Sequence, residues 1–308
     1  MKKNTRFADA KKSARPPGGR AAGPAKGGAS FQAKTFVKGG AAPVMQDRPS
    51  EGKQRAGSFI DIPKSHRIII GTHAIFEAAM TFPKDCKELW MKQGWESNQD
   101  LKKIASELRP HGISVKVIPD TTLDRFGSHQ GAILTVSSRP EIDWTEIERA
   151  REATVLVLDG IEDPHNLGAI LRTSWLMGVK GLLIPQDRAV GLTPTVHKVA
   201  CGGAEHVPVE ETTNFAGHLE NLKKQGYWVF GLSHKGKRSL FDQKIPAKVV
   251  WCIGAEDKGL RTTTERLCDE LVSIPQVSAA ASYNASVATA IALTETLRQR
   301  TRKTNEKS

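Results

Sequence analysis

The sequence has little that would hold a metal or staple a small fold. Its four cysteines, Cys86, Cys201, Cys252 and Cys268, lie far apart and form no CxxC pair. That spacing fits neither a zinc site nor a disulfide framework, so reduced thiols in a cytoplasmic protein without a metal are expected. No apolar run approaches the about 18 residues of a membrane span. The basic N-terminus is not followed by the apolar core of a secretory signal, and a transit peptide over residues 1–30 stays open. There is no GxGxxG after the strand at 155–159 and no Lys-Ser/Thr phosphate loop. The missing glycine fingerprint argues against a nucleotide-binding oxidoreductase of the doubly wound kind.

What the chain does have is positive charge, unevenly placed. Its 308 residues carry a net charge of +12, which points to a polyanionic partner, nucleic acid before an anionic membrane. Residues 1–65 hold 14 Lys and Arg against 4 Asp and Glu, while the rest is nearly neutral. The excess basicity is therefore a property of the tail. Up to about Pro63 the chain is rich in Gly, Pro, Ala, Lys and Arg, as in PPGGR, AAGPAKGG and VKGGAAP. So few large apolar side chains cannot offset the entropy of ordering, so residues 1–63 are expected to be disordered. Flexible cations that release counterions on RNA phosphates are one use of such a tail; plain solubilisation is the other.

Periodic structure begins at His66. HRIIIGTHAIFEAAM reads as a strand, a Gly-Thr turn and a helix from His73. KELWM, GISVKVIP and AILTVS read as further strands, and 98–109 as a helix stopped by Pro110. This alternation predicts a small α/β domain over 64–138. Residues 139–152, RPEIDWTEIERARE, read as a charged linker with a helical turn or two.

From 153 to 302 the alternation is clearer. VLVLD, GLLIP, EHVPV, YWVFGL, VVWCIG and LVSIP read as strands, with helices over 166–179, near 213–225 and near 262–268, and a long one over 284–300. Residues 303–308 form a short tail. Strands joined by crossover helices predict a mostly parallel sheet with helices on both faces. Ligands of such sheets sit beyond the carboxyl ends of the strands.

Three strand exits stand out. In DGIEDPHNLGAILRTS (159–174), Asn166 can cap the following helix. Arg172 lies about 1.7 turns further on, within reach of a long side chain. A helix cap and a solvated charge are their bland readings. In CIGAEDKGL (252–260), Gly254 and Gly259 bracket Glu256 and allow close backbone approach. In IPQVSAAASYNASVATAIAL (274–293), Ser282 or Asn284 can cap the last helix.

Taken together, in order and spacing, these exits resemble the SpoU/TrmH family of the SPOUT superfamily. Motif 1, D-P-x-N-L-G-x-x-x-R-[ST], is matched at Asp163, Pro164, Asn166, Leu167, Gly168 and Arg172. Motif 2, G-x-E-x-x-G-[LM], is matched at Gly254, Glu256, Gly259 and Leu260. Motif 3, I-P-M-x-G-x-x-x-S-L-N-V-S, is matched at Ile274, Pro275, Ser282, Asn284 and Ser286; Gln276, Ser278, Tyr283 and Ala285 replace its Met, Gly, Leu and Val. KVACGGAEHVPV (198–209) also resembles the branch that modifies guanosine in large-subunit ribosomal RNA. IGTHAIFEAA and SHQGAILTV resemble the ribosomal-protein-like substrate-binding domain of many relatives.

The resemblance implies an RNA 2'-O-ribose methyltransferase using S-adenosylmethionine, with a trefoil-knotted α/β catalytic domain that dimerises. Ribosomal RNA is the favoured substrate and transfer RNA the next. It implies cofactor contacts at Gly254, Gly259, Ile274 and Tyr283, largely through the main chain, with Leu232 lining the same pocket. In the family the motif 1 arginine is often assigned as base, but a guanidinium stays protonated. Arg172 is therefore expected to clamp the target phosphate or the nascent alkoxide. Glu256 would orient Arg172 or Asn166, Asn166 would order motif 1, and Ser282 or Asn284 would organise the loop. A non-catalytic RNA-binding or ribosome-assembly protein on the same scaffold is the alternative.

Overall fold

Two sheets, each wrapped by helices, account for residues 62–278 and 281–305, the part of the chain that the computed structural model describes. The expected disorder of 1–63 falls almost wholly outside these residues. Four strands form the first sheet: β1 (Arg67–Ile70), β2 (Cys86–Met91), β3 (Val115–Val117) and β4 (Ala132–Val136). Their order is β1-β4-β2-β3; β4 runs antiparallel to both neighbours, and β2 pairs parallel with β3. Helices α1 (Thr72–Thr81) and α2 (Gln99–Leu108) pack on the sheet through Ala74, Ile75, Ala78, Leu101, Ile104 and Leu108. Asn98 caps α2 by accepting from the N–H groups of Asp100 and Leu101. A short α3 (Asp120–Leu123) follows β3.

The second sheet has seven strands: β5 (Ala153–Asp159), β6 (Gly181–Pro185), β7 (Val209–Thr212), β8 (Trp228–Leu232), β9 (Arg238–Ser239), β10 (Lys248–Gly254) and β11 (Glu270–Ser273). Their order is β7-β6-β5-β10-β8-β11-β9, and every neighbouring pair is parallel. All seven residues of β5 are buried. Cover on both faces explains why such a strand reads as an unbroken apolar run.

One face is covered by α5 (Pro164–Leu176), α6 (Pro194–Ala200) and α10 (Ala285–Asn305), through Leu167, Ile170, Val196, Ala292 and Leu293. The other is covered by α4 (Trp144–Arg149) and α8 (Phe215–Lys224), through Ile147, Leu219 and Leu222. The stretch 139–152 therefore carries α4 firmly against this second sheet. Trp144 donates to Glu210 at 3.0 Å, and the buried Tyr227 hydroxyl donates to the Ile147 carbonyl at 2.7 Å. On the opposite face, Trp251 at the sheet centre donates to Thr296 of α10 at 3.1 Å.

The structure departs from the sequence reading at EHVPV. Glu205 and His206 end a short helix, α7 (Gly203–His206), and the strand starts only at Val209. Pro208 offers no N–H to a ladder, and the Glu205 carboxylate is drawn inward by partners no local pattern reveals. Helix α6 was also missed, although Thr193 caps it and Pro194 opens it. All four cysteines are free, and burial lifts the Cys86 thiol to about 11. Among the described residues, no helix is long and apolar enough to cross a membrane, and no cluster of three or more metal-ligating side chains is found.

Candidate active site

The carboxyl ends of β5 and β10 lie side by side, with Asp159 in register with Gly254. On the other side of β10 lies β8, followed by β11. The three exits singled out in the sequence therefore open along one edge of the sheet.

At the first exit Asp163, not Asn166, caps α5, accepting from the His165 N–H at 2.8 Å with Pro164 in the first helical position. The expectation that Asn166 caps this helix is corrected by that geometry. Asn166 sits one turn in, almost buried, and its amide is free to turn towards the second exit. There the chain doubles back in a tight hairpin, with Ala255 and Gly259 exchanging backbone hydrogen bonds. Glu256 stands at its tip.

The two meet at 3.0 Å, Asn166 Nδ2 donating to Glu256 Oε1. Asn284 closes the triangle. Its Nδ2 donates to Asn166 Oδ1 at 2.9 Å and to Glu256 Oε1. The Ala285 N–H reaches the same carboxylate oxygen at 3.3 Å. Asn284 Oδ1 meanwhile caps α10, accepting from the N–H of Ser286 at 2.9 Å and from the Ser286 hydroxyl at 2.6 Å. One side chain from each motif thus enters a single hydrogen-bonded knot of polar groups.

Two expected members stand apart from the triangle. Ser282 is exposed, and its hydroxyl makes no hydrogen bond among the described residues. Arg172 is exposed on α5, and Glu256 does not bond to it; among the described residues its one polar contact is Nη1 to Cys201 Sγ at 3.6 Å. Among the described residues no carboxylate pairs with Arg172, so its planar fork of donors is unspent. Glu256 therefore orients Asn166 rather than Arg172.

The expected cofactor residues gather at the neighbouring strand ends. Leu232 closes β8, Gly254 closes β10, and Ile274 follows β11, half-buried. Tyr283 is 38% exposed and folds its hydroxyl back onto the Pro275 carbonyl at 3.2 Å. Gln276 braces the same loop by donating to the Ala281 carbonyl at 3.0 Å. Gly254 is required by the hairpin itself: a Cβ there would lie 2.1 Å from the Gly259 carbonyl carbon. Close backbone packing is by itself a reason for glycine at this position.

A further link escaped the sequence reading. Buried Asp159, at the exit of β5, accepts from the Arg261 N–H at 2.8 Å and pairs with Arg261 Nε at 3.2 Å. That bond ties the end of β5, just before motif 1, to the residue just after motif 2. An acidic residue ending a buried strand was its only signal.

Comparison with known proteins settles the kinship. Residues 153–294 match the SpoU rRNA Methylase family, and residues 68–141 match the domain described as RNA 2'-O ribose methyltransferase substrate binding. A 23S rRNA (guanosine-2'-O-)-methyltransferase RlmB of Shewanella oneidensis is 37% identical over 244 residues, covering 77% of this chain and 99% of its own. Its namesake in Pseudomonas putida is 38% identical over 242 residues, covering 75% of this chain and 96% of its own.

The chain belongs to the SpoU rRNA methylase family.

Solved structures of the family share its fold. The SpoU methyltransferase AviRb from Streptomyces viridochromogenes, in complex with AdoMet, superposes with a TM-score of 0.68 at 22% identity, covering 77% of this chain and 91% of its own. A structure described as an RNA 2'-O ribose methyltransferase gives 0.63 at 24% identity, with 77% and 89% covered. The two family matches thus cover a substrate-binding domain over residues 68–141 and a methylase domain over 153–294.

Proposed function

We propose that this protein methylates the ribose 2'-hydroxyl of a guanosine in 23S ribosomal RNA, drawing the methyl group from S-adenosylmethionine. The observation that carries the reading is the Asn166–Glu256–Asn284 triangle beside an unpaired Arg172. Three motifs distant in sequence are locked together, while Arg172 has no carboxylate partner among the described residues and is available to substrate. The relatives named as 23S rRNA guanosine methyltransferases align over nearly their whole length, which favours an active enzyme over a non-catalytic RNA-binding scaffold.

The residues at the strand exits fit the cofactor. Leu232, Ile274 and the fully exposed Val277 supply apolar surface, while Gly254 and Tyr283 supply main-chain groups and Gly259 holds the hairpin beside them through its bonds to Ala255. A nucleoside calls for such a lining: apolar faces for the base and backbone groups for its edge. When bound, the sulfonium supplies an electrophilic methyl group. The protein's part is to position the hydroxyl and to manage its charge. Arg172 stabilises the negative charge that develops on the oxygen as its proton passes to solvent water, and holds the adjoining phosphate by its fork. Asn166 fixes the helix that carries Arg172, and Asn284 joins the cofactor loop to motif 1 through Glu256.

A homodimer in the cytoplasm with a trefoil-knotted catalytic domain completes the proposal. Val287, Leu297 and Phe241 leave large apolar side chains exposed. Phe241 and Val287 line a groove along α10 with Ala290, Ile291 and Thr294, a face suited to a two-fold partner. For the knot, the support is that α10 leaves β11 near one end of the sheet yet packs on α5 and β10.

The test is methyl transfer from labelled S-adenosylmethionine to 23S ribosomal RNA, with a 2'-O-methylation map of cellular RNA with and without the protein. Loss of one guanosine modification in its absence is expected. Cofactor binding without transfer to any cellular RNA would favour the scaffold reading.

A further inference from the structure

The segment α6–α7 touches both halves of the protein. Towards the substrate-binding domain, Arg67 of β1 donates from Nη1 at 3.3 Å and from Nη2 at 2.9 Å to the two carboxylate oxygens of Glu205. Glu205 Oε1 also lies 2.7 Å from His197 Nδ1, and both of these side chains are wholly buried. Beside them, His206 pairs with Glu77 of α1 at 2.8 Å while its ring stacks on Trp175 of α5. Lys198 donates to Ser128 of the substrate-binding domain at 2.6 Å.

Towards the active site, the same segment meets Arg172. Among the described residues, Cys201 Sγ is the polar partner of the guanidinium. Gly203 lies so close behind it that a Cβ would come within 2.8 Å of the Arg172 Cα and 2.7 Å of the Leu171 carbonyl. Packing this tight leaves no slack between α7 and the arginine, since interiors transmit strain rather than absorb it.

We propose that Arg67 and Glu205 are positioning residues for methyl transfer. Through α7 and Cys201 they set Arg172 in place only when the RNA-gripping domain is docked. The inference rests on the proposed role of Arg172. An exposed lysine–carboxylate pair would serve to hold two domains together. A buried carboxylate gripped by both arms of an arginine instead fixes one relative orientation, and leaving it unpaired is costly. The lever ends on Arg172, which the Asn166–Glu256–Asn284 triangle does not hold.

A double-mutant cycle under single-turnover conditions tests this, with Arg67→Ala, Arg172→Ala and their combination assayed on 23S ribosomal RNA. Arg67→Ala is expected to slow transfer by about ten- to a hundredfold, the range for a reacting group displaced by about 1 Å. Cofactor affinity should stay unchanged. In the Arg172→Ala background the same change should cost almost nothing, because its route of action is gone. Arg67→Lys, which keeps the charge but not the fork, should fall between wild type and Arg67→Ala. A readout free of RNA and cofactor is the alkylation rate of half-buried Cys201, expected to rise in Arg67→Ala while that of Cys268 does not.

If Arg67→Ala transfers at the wild-type rate while Arg172→Ala is slow, the inference fails and the functional reading stands. Equal losses in both backgrounds mark Arg67 as a structural tie only, and overturn it too. If Arg172→Ala itself keeps the wild-type rate, the role of Arg172 falls, and this inference falls with it.

Discussion

Asn284 donates a 2.9 Å hydrogen bond to Asn166, a residue 118 positions earlier in the chain. Both amides also point at one oxygen of Glu256. Each of the three side chains is therefore a condition for the geometry of the other two. Glu256→Ala and Asn284→Ala should each slow methyl transfer, and the double variant should be little worse than the slower single one. Coupling of about 0.5–3 kcal/mol is the usual range for residues in one network. Single-turnover rates for the four proteins of the cycle check this; fully additive losses would count against a shared network.

Arg172→Ala should lower the rate of transfer by about a hundred- to a thousandfold, the usual cost of losing a charge-stabilising donor. Cofactor affinity, measured by calorimetry, should hardly change, because Arg172 lies outside the cluster of strand ends. Arg172→Lys should restore little, since a point charge does not reproduce the fork.

Gly254→Ala should act through the fold. Its new methyl group would meet the backbone of Gly259 and Leu260 at 2.1–2.2 Å, and backbone cannot yield as a side-chain tip can. Glu256 would be displaced along with the hairpin. The unfolding temperature and cofactor affinity are both expected to fall. A variant with wild-type thermal stability and lost cofactor binding would instead indicate direct obstruction of a ligand.

Acid should loosen the joint between the domains. Burial alone would push the Glu205 carboxyl up, but the hydrogen bond and charge of His197, with Arg67, outweigh it and hold the group below its ordinary value of 4.5. A carboxylate depressed in the folded state contributes its stability above the ordinary value, and loses it as pH falls through the folded one. The unfolding midpoint should therefore drop below about pH 4.5, and less steeply in Glu205→Gln. Denaturant titrations of the two proteins between pH 6 and pH 3 give the comparison; equal slopes would remove Glu205 from the account.

The parallel sheet was legible because its central strands, buried on both faces, read as unbroken apolar runs such as VLVLD and VVWCIG. The three motifs were legible because their glycines, prolines and polar residues interrupt those runs at strand exits. The sequence also placed Asn166, Glu256 and Asn284 in a short set of candidates. It left Glu256 open between Arg172 and Asn166 and joined Asn284 to neither, since hydrogen bonds between residues 90 and 118 positions apart leave no periodic trace. Local rules even misled at Asn166, where a residue able to cap a helix stands three positions after the one that does.

Sequence alone thus determined most element types, the order of the strand exits and the family, because apolar period and turn chemistry are local properties; α6 and α7 were the exceptions. Tertiary structure decided which carboxylate serves which partner. Glu256 is spent on two asparagines, Glu205 is buried under Arg67, and Arg172 is left without a carboxylate. Those assignments depend on which strand ends become neighbours, and order along the chain does not fix order across the sheet.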